Sequence, residues 1–247
     1  MQRYFIRMAY HGGNYHGWQV QKNAHTVQAE MEEKLAVMLG GHVSVTGCGR
    51  TDTGVHAREF YAHFDMEKPL KDARELAFRL NVFLPDDIVV FDIFPVAPDM
   101  HARFSAVSRT YRYYISRQKD PFYRDLQYEY TGRLNIEAMK EASRFILGKQ
   151  DFTSFSKLHT QTTTNICTVT EALWTEDDNR LIFTISADRF LRNMVRAVVG
   201  TLFEVGKGKI QPEDVKNIID AKDRSHAGFS VPARGLFLEK VEYEFGN

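Results

Sequence analysis

Apolar and polar positions alternate loosely from residue 3 to 10, the two-residue period of a strand with a buried face. The period then lengthens. After Thr26, whose hydroxyl can accept from a first-turn N–H, Val27, Met31, Leu35 and Met38 or Leu39 fall on one helical face until Gly40-Gly41 stops the run. Two strands are predicted next, at about 43–48 and 57–65. A helix follows from Asp72 to Phe83, with Leu76, Leu80 and Phe83 on one side. It has to end before Pro85, because proline disfavours helical backbone in the residue ahead of it. The apolar run Ile88 to Phe94 reads as a strand, and Pro95 and Pro98 break the pattern. The order to this point is β-α-β-β-α-β.

The second half repeats that order. A strand is predicted near 107–117, a helix from an Asn135 cap to Gly148, strands near 166–176 and 181–187, a helix from Phe190 to Val205, and a last strand from Leu236 to Phe245. An additional helix seeded by Pro212 precedes the last strand. Two ferredoxin-like βαββαβ units predict an α/β (α+β) protein of two domains, 1–104 and 105–247, each with an antiparallel sheet covered by helices. No residue-level repeat accompanies them, so the duplication is read from element order alone.

Composition narrows the class. The chain has 247 residues, 43% of them hydrophobic and 26% charged, which is a globular balance able to bury a sizeable core. No run approaches the roughly 20 apolar residues of a membrane helix, and the start enters a strand pattern without a signal-peptide core, so a cytoplasmic protein off the membrane is expected. The two cysteines, Cys48 and Cys167, lie far apart and imply neither a disulfide framework nor a zinc site. Histidines 11, 16, 56, 63 and 101 form no HxH or HxxxH pair with a supporting carboxylate, so no metal is expected, and no glycine pattern fits a nucleotide cofactor. Lys plus Arg and Asp plus Glu each number 32, a neutral balance that by itself speaks against nucleic-acid binding. The distribution is uneven, however: between His101 and Arg124 stand Arg103, Arg109, Arg112, Arg117, Lys119 and Arg124 against Asp120 alone. A basic face on a neutral chain is what RNA binding would require.

The densest chemistry lies in Gly47-Cys48-Gly49-Arg50-Thr51-Asp52-Thr53-Gly54-Val55-His56-Ala57, between two predicted strands. Its glycines let the backbone turn tightly and Thr51 and Thr53 can fix the loop, which presents Asp52 at a tip. Taken bare, such a segment is equally an ordinary glycine-rich turn with a solvated Asp.

GRTDTGVHA resembles the catalytic signature of the TruA family of pseudouridine synthases, and other segments match in order. Ala9 to Gln21, with its GWQVQ ending, is similar to the family's opening stretch; Ala102-Arg103-Phe104-Ser105-Ala106 and Arg109-Thr110-Tyr111-Arg112-Tyr113 resemble its ARFSA and R-x-Y-x-Y segments. Asp151 to Phe155, Phe190 to Lys209 and Ala227 to Leu236 match its remaining blocks. Two departures stand out: His11 and Gly13 replace an Asp and a Thr, and Phe229-Ser230-Val231 replaces a Thr-Ala-like stretch.

The resemblance implies a two-domain enzyme with an active-site cleft between the halves, a homodimer acting on the anticodon stem-loop of tRNA, at uridines near positions 38 to 40. The reaction detaches uracil from C1′, turns it and rejoins it through C5. Nothing is oxidised, reduced or phosphorylated, so no cofactor is implied. Residue by residue, it implies Asp52 as the carboxylate at C1′, Arg196 as a partner holding it ionised, and Tyr111 as a ring for the uracil with a hydroxyl for proton transfer at C5. Arg50, Arg58, Arg103, Arg109 and Arg192, in or beside matched motifs, are candidate RNA contacts. A competing class is a non-catalytic RNA-binding module with RRM-like sheets, which would gain nothing from an acid aimed at a polyanion. A glycoside or nucleoside hydrolase would need a second carboxylate, and none stands out near the motif.

Overall fold

The computed structural model describes residues 1–157 and 163–245. Contacts divide the chain into two compact units: Met1–Val107 together with the chain from Leu238 on, and Ser108–Phe237.

In the first unit β1 (Gln2–Tyr10) is followed by α1 (Val27–Leu39), β2 (Thr46–Gly47), β3 (His56–Met66), α2 (Ala73–Phe83) and β4 (Ile88–Val96). The strand order is β4-β1-β3, with β2 antiparallel to β3, which is the split βαβ arrangement of a ferredoxin-like unit. Local chemistry sets the helix limits. The Thr26 hydroxyl accepts from Ala29 N–H, and Gly40 closes α1 in the left-handed region at φ 74°. The Asp72 carboxylate accepts from Arg74 and Glu75 N–H groups, and α2 ends against Leu84, one residue before Pro85. β1 is buried on both faces: Ile6 and Met8 point one way, while Phe5 on the other face touches Tyr61, His63 and Phe94. Of the strand expected at 43–48, only Thr46–Gly47 pairs, although Val43 and Val45 are still buried. Pro95 does not break β4; it lies in the edge strand opposite Tyr4, where its missing N–H costs no ladder bond.

In the second unit the order is β5-β9-β8-β7, from β5 (Ala106–Ser116), β7 (Gly148–Asp151), β8 (Ile166–Asp177) and β9 (Arg180–Ala187), with β6 (Tyr128–Glu129) parallel to β5. Its helices are α3 (Ile136–Arg144), α4 (Met194–Gly206) and α5 (Asp214–Ala221), and the chain returns in β10 (Leu236–Tyr243), which lies beside β3. The whole is a mixed α/β protein with mostly antiparallel pairing, as the element order predicts.

Three boundaries differ from expectation for identifiable reasons. α3 starts at the Asn135 cap but stops at Arg144 rather than Gly148, because Gly148 takes φ 92° and opens β7. The Gln150 amide then donates to the free carbonyls of Phe145 and Leu147. α4 begins at Met194 rather than Phe190, because Asn193 sits at φ 67° and interrupts helical geometry. Pro212 precedes the Glu213 cap of α5 and is not its first helical residue. Among the described residues no helix is long and apolar enough to cross a membrane.

Candidate active site

Asp52 lies between β2 and β3, where the chain reverses. Val55 N–H donates to the Asp52 carbonyl at 3.1 Å, and Gly54 adopts φ 77°, a conformation costing roughly 1 kcal/mol or more in a residue with a Cβ. The approach to the loop is pinned as well: Cys48 N–H donates to the Tyr61 carbonyl at 2.7 Å. A Cβ on Gly47 would stand 2.5 Å from Trp18 Nε1.

Trp18 belongs to the opening segment, and that segment forms a cradle for the loop. A Cβ on Gly17 would lie 2.3 Å from the Thr51 carbonyl oxygen, and one on Gly12 only 2.0 Å from that of Val55. Through that close approach Trp18 N–H donates to Thr51 O at 3.3 Å and Gly54 N–H to Tyr15 O at 3.3 Å. The Tyr10 and Thr51 hydroxyls bond at 2.9 Å, both buried. Gly12 N–H donates to His56 Nδ1 at 3.1 Å, which leaves the proton of that buried ring on Nε2 when it is neutral. The His11 ring packs 4.4 Å from it.

The other cations of this unit lie around the strands. Arg50 is exposed beside Asp52, and Arg58, 59% exposed in its side chain, pairs with Glu239 at 3.2 Å. Arg103 is exposed, its guanidinium 5.4 Å from the Phe104 ring. The turn carrying Arg103 is rigidly held: His101 Nδ1 accepts from Arg103 N–H at 3.0 Å, and His63 Nδ1 from Ala102 N–H at 3.1 Å. Burial pushes the His63 imidazole down to about 4, with the Arg3 and His101 charges adding to it.

In the second unit Tyr111 sits on β5 opposite Ile185, half-buried, with the Phe190 ring edge-on at 5.1 Å. The late start of α4 leaves Phe190 outside the helix and free for that contact. Tyr113, on the same strand face, is buried and donates to the Pro232 carbonyl at 2.8 Å; burial holds its phenol well above the usual range. Arg196, on α4, is fixed at both ends: Nε donates to Val231 O at 2.8 Å, and Arg196 O accepts from Val231 N–H at 3.2 Å. The segment carrying Val231 lies almost against the helix backbone, since a Cβ on Gly200 would be 1.7 Å from Phe229 O. The Ser230 hydroxyl takes bonds from Asn193 at 2.6 Å and Arg224 at 3.1 Å, so the departure at 229–231 is accommodated in place. Arg109 donates to Asp188 O at 2.7 Å, and exposed Arg192 accepts Lys157 N–H through its carbonyl at 3.0 Å.

The structure thus puts Asp52, Arg50, Arg58 and Arg103 in the first unit and Tyr111, Arg109, Arg192 and Arg196 in the second. Sequence reasoning did not single out Tyr15, His56, Gly200 or Gly228, which hold the loop and the helix. Their only sequence signal is membership of the matched motifs. Among the described residues no group of three His, Cys, Asp or Glu side chains converges as a metal site.

Comparison with known proteins points to one family. Residues 142–244 match the family described as tRNA pseudouridine synthase. The chain is 53% identical over 243 residues to tRNA pseudouridine synthase A of Parabacteroides distasonis, covering 98% of this chain and 96% of that one. It is 52% identical to the Bacteroides thetaiotaomicron protein of that name (98% and 91% covered) and 41% identical to that of Bacillus subtilis (96% and 97% covered).

Proposed function

This chain belongs to the tRNA pseudouridine synthase A family, and from that premise we propose that it isomerises anticodon-arm uridines of tRNA to pseudouridine with Asp52 as catalytic carboxylate. The observation supporting Asp52 is its setting: the loop is clamped by a buried cradle of glycines, tyrosines and a tryptophan, while the carboxylate stays at a partly accessible turn. Such preorganisation is what a reacting group requires.

The chemistry follows from the bonds exchanged. The N1–C1′ bond breaks and leaves C1′ electron-deficient, and the Asp52 carboxylate meets that deficiency. The freed uracil turns, C5 bonds to C1′, and the C5 hydrogen departs as a proton while N1 regains one. Tyr111 offers a ring for the uracil and a hydroxyl for proton transfer. The family motif gives Arg196 the role of cationic partner to Asp52, and the exposed Arg50 is a contact for phosphate or for the gap left by the extruded base. In this reading the catalytic loop belongs to an N-terminal domain, 1–104, with Tyr111 and Arg196 in 105–247. The enzyme works in the cytoplasm as a homodimer, with Arg58, Arg103, Arg109 and Arg192 as further RNA contacts.

The test uses tRNA tritiated at C5 of uridine. Asp52→Asn is expected to lose several orders of magnitude in tritium release yet bind tRNA as the wild type does, since removing one negative charge does not weaken affinity for a polyanion. Retention of more than about a tenth of the turnover, a barrier change under about 1.4 kcal/mol, would overturn the assignment.

A further inference from the structure

The loop that carries Asp52 is held by the opening segment, and that segment is held in turn by one carboxylate outside any matched motif. Asp87 lies immediately ahead of β4. Its Oδ1 accepts from the Tyr15 hydroxyl at 2.5 Å, its Oδ2 from the Asn14 amide at 2.9 Å, and its carbonyl from His11 N–H at 2.8 Å. Tyr15 is 2% exposed, with its N–H donating to Gly12 O at 3.1 Å and its ring against His25 at 4.7 Å. The Tyr15 carbonyl then accepts Gly54 N–H, two residues from Asp52, inside the turn that Val55 N–H closes onto the Asp52 carbonyl. The chain of bonds is therefore Asp87 to Tyr15, Tyr15 to Gly54, and Gly54 to the turn bearing Asp52.

We infer that Asp87 is a positioning residue for the reaction: through Tyr15 it sets where the Asp52 carboxylate stands. This rests on the catalytic reading of Asp52. Carboxylate acceptors make stronger hydrogen bonds than neutral ones, and a buried phenol that loses its acceptor must move or rotate to find another. A shift of the Tyr15 ring that carries its backbone along displaces the carbonyl that fixes Gly54. A displacement of about 1 Å at a reacting group costs on the order of a hundredfold in rate, whereas RNA affinity comes from phosphate contacts elsewhere. A purely structural role predicts the opposite pattern, with rate and binding falling together as the folded fraction falls.

The experiment compares Asp87→Ala, Tyr15→Phe, their double variant and Asp87→Asn, reading the single-turnover rate of tritium release and the Kd for unmodified tRNA, with Asp52→Asn alongside. Tyr15→Phe deletes one oxygen, and keeps the question open should Asp87→Ala fail to fold. Expected are rates at least tenfold lower in Asp87→Ala and Tyr15→Phe, a double variant no slower than the worse single, and a Kd within about twofold of wild type throughout. Asp87→Asn, whose Oδ1 still accepts from Tyr15 and whose NH2 can donate to the Asn14 oxygen once that amide flips, is expected to recover most of the rate. Falls smaller than tenfold in both single variants, or rate losses matched by equal losses of tRNA binding, would overturn the inference. If Asp52→Asn is inactive while the Asp87 variants run at full rate, only the positioning role fails. If Asp52→Asn itself turns over, the reading of Asp52 fails.

Discussion

Gly200 in the middle of α4 gives a direct test of how Arg196 is held. Gly200→Ala would gain about 1 kcal/mol of helix propensity on an open helix. Here the added Cβ would lie 1.7 Å from Phe229 O and 2.8 Å from Phe229 C, both backbone atoms, and ordinary contact begins at 3.4 Å. The 227–231 segment would have to retreat by roughly 1.5 Å, more than a hydrogen bond tolerates. The bonds at risk are Gly228 N–H to Thr201 Oγ1 at 2.8 Å, Asn193 to Ser230 at 2.6 Å, and the pair linking Arg196 with Val231 at 2.8 and 3.2 Å. At about 1 kcal/mol each, losing two to four of them costs around 2–4 kcal/mol and outweighs the propensity gain. Gly200→Ala is therefore expected to be less stable by about 1–3 kcal/mol in urea unfolding, with turnover of the folded protein reduced because Arg196 loses its anchors. Gly41→Ala, where no atom stands within 4 Å of the new Cβ, serves as the control and should change stability by less than about 0.5 kcal/mol. A Gly200→Ala protein as stable as wild type would refute the packing argument.

Two further outcomes follow from the geometry. Tyr111→Phe keeps the edge contact with Phe190, so if the hydroxyl carries a proton, product formation should fall while tRNA binding persists, measured by tritium release and filter binding. Normal rates in both Tyr111→Phe and Tyr111→Leu would remove Tyr111 from the site. His63 titrates at about 4 in the fold against 6.5 for the free side chain, so the folded state prefers the neutral ring. Its contribution is complete above pH 6.5 and is lost as pH falls from 6.5 to 4, about 3 kcal/mol in all. Urea unfolding at pH 7 and pH 4.5 should show a larger loss in wild type than in His63→Gln; equal losses would mean that another group carries the acid sensitivity.

Sequence periodicity located nearly every long element, because the caps that end them are local: Thr26, Asp72 and Asn135 each bind N–H groups two or three residues on. The differences occur where a single backbone conformation overrides the side-chain pattern. The stretch from Phe190 to Val205 is apolar at helical spacing throughout, yet the left-handed Asn193 delays α4 and turns Phe190 toward Tyr111. β6 and β7 are too short to carry a period of their own and depend on partners distant in the chain.

The candidate site is proposed from its motifs, and its mechanics are not visible in them. Nothing in the letters of the opening segment says that Gly12 and Gly17 are small because carbonyls of the Asp52 loop occupy the space a side chain would fill. The departures His11 and Gly13 make the same point. Read along the chain, they are two unrelated losses, an acidic acceptor and a hydroxyl. In the fold they are one change: His11 Nδ1 accepts Gly13 N–H at 3.3 Å, capping the short turn Gly12–Asn14 as a carboxylate would. A Cβ at position 13 would lie 2.7 Å from His11 Cε1, so the larger ring at 11 goes with glycine at 13. The same ring rests on His56, whose Nδ1 holds Gly12, and Gly12 in turn faces the Val55 carbonyl at the end of the turn bearing Asp52. The pair thus preserves the cradle around Asp52 by exchanging a small acceptor beside a larger neighbour for a large acceptor beside none. Coupling of that kind becomes visible only once distances replace positions in the chain.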